Sequence, residues 1–175
     1  MQTFIGLLRG INVGGHKKLP MADLKSICGS IGLDNTKTYI QSGNLVFGSE
    51  REPSLISKEI EDGIEDRFGF RPPVLLINSA DFQKAAEGYP FSTDDHKHSH
   101  LMFLSKQPAK NVVDEIRKLE HEPDLLSVGR RVIYFHFPNG VSGTRIDLGK
   151  LERTLKVKCT MRNWRTVQQL IEMAS

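Results

Sequence analysis

Between an opening apolar run, Thr3 to Leu8, and the next periodic segment lies Arg9-Gly10-Ile11-Asn12-Val13-Gly14-Gly15-His16-Lys17-Lys18-Leu19. Its glycines allow backbone amides to approach a ligand, and Arg9, Lys17 and Lys18 attract negative charge. At about eleven residues it exceeds the two to six usual between a strand and a helix, and extra loop length is commonly spent on function. The chemistry this implies is capture of a phosphate or carboxylate, with Arg9, Gly10, Asn12, Gly14, Gly15 and Lys17 along one wall. The stretch fits neither G-x-G-x-x-G nor G-x-x-x-x-G-K-[ST]. Gly15 also stands five residues before Pro20, so the glycines do not sit directly over a helix N-terminus. A glycine-rich turn with solvated lysines is the competing reading.

Two further polar clusters are candidates for the same ligand. Gln41, Ser42 and Asn44 fall at a hairpin tip and contribute if that tip folds toward the loop; otherwise Ser42 and Asn44 bond the turn's own backbone. A nucleophilic Ser42 would need a base and an orienting acid, and the sequence identifies neither. Arg162 and Asn163 join a strand end to a helix start and form a third wall, or Asn163 caps the helix and Trp164 anchors a core. The glycine-bearing stretch from Pro138 to Arg145 is a weaker candidate of the same kind. His96, His98 and His100 alternate, so on an extended chain all three rings point one way. With Asp94 and Asp95 they would make a metal surface, but an exposed linker is the stronger reading and no metal or cofactor is expected. Cys28 and Cys159 have no metal spacing and read as small buried residues. In Arg131–Phe137, Tyr134 and His136 share one face, the arrangement a nucleic-acid-stacking strand would use, while Ile133, Phe135 and Phe137 share the core face.

The elements that must position these residues follow from changes in apolar period. The chain has 175 residues, 38% apolar and 26% charged, which bounds it to one domain or two small halves and excludes disordered, collagen-like and disulfide-scaffold classes. No apolar run approaches a membrane span, and the short Phe4–Leu8 run followed by Arg9 is a poor export signal. Two unpaired-looking cysteines point to a reducing, cytoplasmic setting. A net charge of +3 permits an anionic partner without requiring one.

Strands are expected at 3–8, 36–41, 45–48 and 74–77, with helices carrying Met21, Leu24, Ile27, Cys28 and Ile31, then Ile56, Ile60, Ile64 and Phe68. Pro20 suits a first helical position. Asn78 or Ser79 caps a short helix to Ala86. The same order repeats: strands at 100–105, 125–128, 132–137 and 157–161, helices from Pro108 and Asp147, and a last helix from Asn163. The expected fold class is α+β, two ferredoxin-like βαββαβ plait halves packed together, residues 1–90 and 91–175.

Leu7-Leu8-Arg9-Gly10-Ile11-Asn12-Val13-Gly14-Gly15, Pro20-Met21-Ala22-Asp23-Leu24, Thr38-Tyr39-Ile40-Gln41-Ser42-Gly43-Asn44-Leu45-Val46-Phe47 and Thr160-Met161-Arg162-Asn163-Trp164-Arg165-Thr166-Val167 together resemble the bacterial domain-of-unknown-function 1697 family. The resemblance implies a compact α+β protein built from two ferredoxin-like parts. It carries over no activity, substrate or catalytic residue. The resulting expectation is a cytoplasmic protein binding a small anionic ligand, nucleotide- or phosphate-like, at the loop after the first strand. The alternatives are a nucleic-acid-binding plait and an enzyme acting on an acyl or phosphoryl group. No membrane partner is expected, and open sheet edges admit a homodimer.

Overall fold

β1 (Gln2–Leu8) is apolar on both faces and buried from Phe4 to Leu8, so it takes a central place in its sheet. In the computed structural model, which describes every residue except 34 and 93–95, it pairs antiparallel with β3 (Asn44–Ser49) on one side and β4 (Val74–Asn78) on the other. The edge beyond β3 is β2 (Lys37–Tyr39), giving the order β2-β3-β1-β4. Two helices cover one face. α1 (Met21–Ser30) supplies Leu24, Ile27 and Cys28, and α2 (Pro53–Phe68) supplies Ile56, Ile60 and Ile64, against Phe4, Leu8, Leu45 and Phe47. The four-residue spacing of the isoleucines keeps them on one stripe, and each is fully buried. Gly69 ends α2 at φ +73°, its amide bonding Glu65 O at 2.8 Å. This left-handed position is one that glycine occupies without Cβ strain. The buried Glu61 accepts from Val74 N at 2.9 Å and pairs with Arg71 at 3.3 Å, tying α2 to β4.

After β4 comes α3 (Ser79–Glu87), capped by Asn78, whose Oδ1 accepts from Asp81 N at 2.8 Å. The second sheet is β6 (Leu125–Val128), β7 (Val132–His136), β5 (Ser99–Leu104) and β8 (Cys159–Asn163), in that order and antiparallel throughout. α4 (Lys110–Arg117) and α5 (Leu148–Leu155) bury Val112, Ile116, Leu151 and Leu155 against Met102, Ile133, Phe135 and Phe137. Asp147 accepts from Lys150 N at 2.8 Å to start α5. Asn163 Oδ1 accepts from Thr166 N at 2.9 Å to start α6 (Trp164–Ala174). The buried Asp124 accepts from Thr144 Oγ1 at 2.6 Å and Arg145 N at 3.1 Å, pinning the 138–145 stretch.

The chain is therefore mixed α+β, with two four-stranded antiparallel sheets and six helices among the described residues. Its residues divide into two compact units, Met1–Phe82 with Leu170–Ser175, and Gln83–Gln169. Several boundaries differ from expectation: the strand expected at 36–41 is only Lys37–Tyr39, with Ile40 in the left-handed region at φ +49°, and others shift for local reasons. Pro20 is extended, at ψ 141°, so it precedes α1 rather than opening it. α4 begins at Lys110, two residues past Pro108, because Ala109 is still extended at ψ 149°. β8 begins at Cys159 rather than Val157 because Lys156 closes α5 in the left-handed region, at φ +52°, and the chain needs two more residues to reach β5. Among the described residues no helix is long and apolar enough to cross a membrane.

Candidate functional site

The loop after β1 is more ordered than its glycine content suggests. His16 N donates to Val13 O at 3.0 Å, closing Val13-Gly14-Gly15-His16. Gly14 and Gly15 stand at φ +57° and +79°, the pair of left-handed positions that a two-residue type I′ turn requires. Asn12 N donates to Lys17 O at 3.1 Å, extending the turn into a miniature hairpin. Asn12 then supplies through its side chain what a neighbouring strand would supply through its backbone. Its Oδ1 accepts from Leu19 N at 2.8 Å and its Nδ2 donates to Leu19 O at 3.0 Å. The same Nδ2 donates to Gln41 O at 2.7 Å.

That last bond joins the loop to the hairpin tip. Leu8 N donates to Gly43 O at 2.8 Å. Gly43, at φ +78°, comes so close that a Cβ there would lie 2.6 Å from Ile11 Cδ1 and 2.7 Å from Leu8 Cβ. The loop and the Gln41–Asn44 tip are thus in contact. The asparagines expected to touch a ligand are engaged by the fold. Asn44 is fully buried and its Nδ2 donates to Tyr39 O at 2.9 Å and Ser42 Oγ at 3.0 Å. Asn12 and Asn44 consequently hold the loop and tip in shape. Ser42 faces an amide there, a group with no capacity as a general base.

What the loop presents outward is Gly10, Gly14, Gly15, His16, Lys17 and Lys18, all exposed, with Val13 66% exposed. Arg9 is half-buried, its amide donating to Pro73 O at 3.1 Å. Gln41 is exposed and Ser42 half-buried. Ile11 and Leu19, 2% and 0% exposed, anchor the two ends of the loop. Sequence reasoning passed over both, although an apolar residue at each end of a glycine-rich polar stretch was the signal available.

Arg162 and Asn163 lie in the second unit. Arg162 donates to Thr160 Oγ1 at 2.7 Å and Met161 O at 2.9 Å, and burial pulls its guanidinium down to about 10. Asn163 spends its side-chain oxygen on the α6 cap.

The three alternating histidines have different ring partners. His96 precedes β5 and stacks on Trp164 at 4.0 Å, His98 meets His136 edge-on at 6.3 Å, and His100 lies against Phe137 at 5.3 Å. Burial holds the His100 imidazole below its usual range. Among the described residues no group of three histidine, cysteine or acidic side chains is arranged to hold a metal ion; Asp94 and Asp95 lie outside them. The surface expected to stack bases is closed as well. Tyr134 is 7% exposed and meets the Tyr89 ring edge-on at 6.0 Å, while His136 is half-buried.

No curated protein matches the chain. A solved structure, described as that of conserved bacterial protein SP0830 from Streptococcus pneumoniae, is similar at a TM-score of 0.77 and 25% identity, over 99% of this chain and 99% of that one. The family described as Protein of unknown function (DUF1697) matches residues 1–134. The motifs that make the braced loop and its adjoining tip fall inside that match, and the chain belongs to the DUF1697 family.

Proposed function

We propose that the loop after β1 captures a small anionic ligand, phosphate- or nucleotide-like, in a cytoplasmic protein. The observation that carries the reading is the Asn12 brace. Three side-chain hydrogen bonds hold a glycine turn in one shape beside exposed His16, Lys17 and Lys18, so little ordering entropy is lost when an anion arrives. A Cβ at Gly10 or Gly15 would meet nothing within 4 Å, and one at Gly14 only the His16 ring at 3.9 Å, so the space beside these backbone groups is open to an anion. Gln41 and Ser42 lie on the adjoining tip. In this reading Asn12 and Asn44 preorganise the site, Lys17 and Arg9 supply charge, and Arg162 and Asn163 have structural work in the second unit. Cytoplasmic residence is supported by two cysteines that are both buried and unbridged.

We infer further that each half, 1–90 and 91–175, is a ferredoxin-like plait. The chain order strand-helix-strand-strand-helix-strand, with the first and third strands central in each sheet, supports that topology.

The test is calorimetric titration with inorganic phosphate, pyrophosphate and adenosine monophosphate. Binding that falls at least fivefold in Lys17→Ala and Arg9→Ala supports the proposal. No heat and no thermal stabilisation with any of the three, in wild type and variants alike, overturns it.

A further inference from the structure

Edge strands in native sheets are ordinarily protected by charge, proline or shortness. β2 carries Lys37 and spans three residues, and β8 carries Arg162. The edge strand β4, Val74-Leu75-Leu76-Ile77-Asn78, has no charged residue and no proline, but three of its five residues are buried. β6, Leu125-Leu126-Ser127-Val128, likewise has no charged residue and no proline, and none of its four residues is buried. It ends its sheet with β7 on one side only. Leu125 is 40% exposed, and the other three residues are half-buried.

The ladder decides which of its backbone groups face outward. Gly129 N donates to Val132 O at 2.8 Å, and the register sets Ser127 opposite Tyr134 and Leu125 opposite His136. Bonded pairs alternate in an antiparallel ladder, so the N–H and C=O of Leu126 and Val128 point away from β7.

We propose that β6 pairs with β6 of a second copy of this chain, antiparallel about a two-fold axis at Ser127. Leu126 of each copy then exchanges its two backbone bonds with Val128 of the other. Ser127 meets Ser127 on the axis, a small uncharged pair. Leu125 falls opposite Gly129, where the space a side chain would take is filled by the Tyr134 ring, 2.8 Å from the position of a Cβ, so Leu125 packs on that ring. Charge selects the direction. Exposed Glu120 and Glu122 precede the strand and exposed Arg130 and Arg131 follow it. Antiparallel pairing sets the acidic end of each copy against the basic end of the other, twice, whereas parallel pairing sets like charges together.

Four residues a side bury less than the roughly 1,200 Å² at the lower bound of standard stable interfaces, so the association is weak and depends on concentration. Sedimentation velocity from about 10 µM to about 1 mM covers the range in which such an interface fills. The expected result is a mass rising toward the dimer. Ser127→Lys, which sets two ammonium groups together on the axis, abolishes the rise. Arg130→Glu weakens it about tenfold, and Glu122→Arg in the same chain restores it. Circular dichroism checks that Ser127→Lys is folded; if it is not, the Arg130→Glu and double-variant pair decides. A chain that stays monomeric throughout, or a dimer indifferent to both substitutions, overturns the proposal.

Discussion

Replacing Asn12 by alanine removes three hydrogen bonds at once, to Leu19 O, from Leu19 N and to Gln41 O. Each contributes about 0.5–1.5 kcal/mol net. Leu19 is fully buried, so its amide is left without a ready replacement from water. Asn12 also stands at φ +54°, where a Cβ costs alanine about 1–2 kcal/mol and asparagine less because its side chain bonds locally. Taking the lower half of the hydrogen-bond range for a half-exposed residue, the loss totals about 3 kcal/mol. With a urea slope of about 1–3 kcal/mol per molar, the midpoint falls by about 1–3 M. Asn12→Gly loses the same bonds and escapes the strain, so it retains about 1 kcal/mol over the alanine variant. Urea unfolding followed by far-ultraviolet circular dichroism measures both. Amide exchange adds a local readout: Leu19 N–H, protected in wild type, exchanges faster in either variant. An alanine variant within about 0.5 kcal/mol of wild type, or an unchanged Leu19 amide, refutes the brace and removes the foundation of the proposed anion site with it.

Gly43→Ala is expected to cost about 2–5 kcal/mol, combining left-handed strain with a Cβ forced against Ile11 and Leu8; a urea midpoint near wild type refutes it. Cys28 gives a pH signature. Burial pushes its thiol up from its ordinary value near 9 to about 11, so the neutral form is the one the fold favours. Its contribution is full below pH 9 and is lost as pH rises toward 11, by up to about 3 kcal/mol. Stability measured across that window falls in wild type and is flatter in Cys28→Ala; parallel curves refute the assignment.

The parts of this protein that were legible in the sequence are those set by neighbours along the chain. The Ile56, Ile60 and Ile64 stripe, Gly69 after it, and the caps at Asn78, Asp147 and Asn163 depend on residues within a turn or two of each other. The double-hairpin order of strands and helices followed from the same local periods. Element ends were less legible where one backbone angle decides, as at Pro20, Ala109 and Lys156.

The site was legible as composition and not as architecture. A glycine-rich, cationic loop announces itself, but Asn12 binds Gln41, 29 residues away, and no spacing rule reports such a partner. The tip's approach to the loop rests on Gly43 lying against Ile11 and Leu8, a contact that exists only once β1 and β3 are paired. Alternation in β7 separated Tyr134 and His136 from Phe135 correctly, yet could not report that Tyr134 is buried too. The alternating histidines required an extended chain at His96, which precedes the strand. Amino-acid order by itself therefore determined the elements and their apolar faces, because periodicity and capping act over a few residues. Which polar groups are left for a ligand was decided by tertiary structure alone, because a hydrogen bond is spent or spare according to what the folded chain brings within about 3 Å of it.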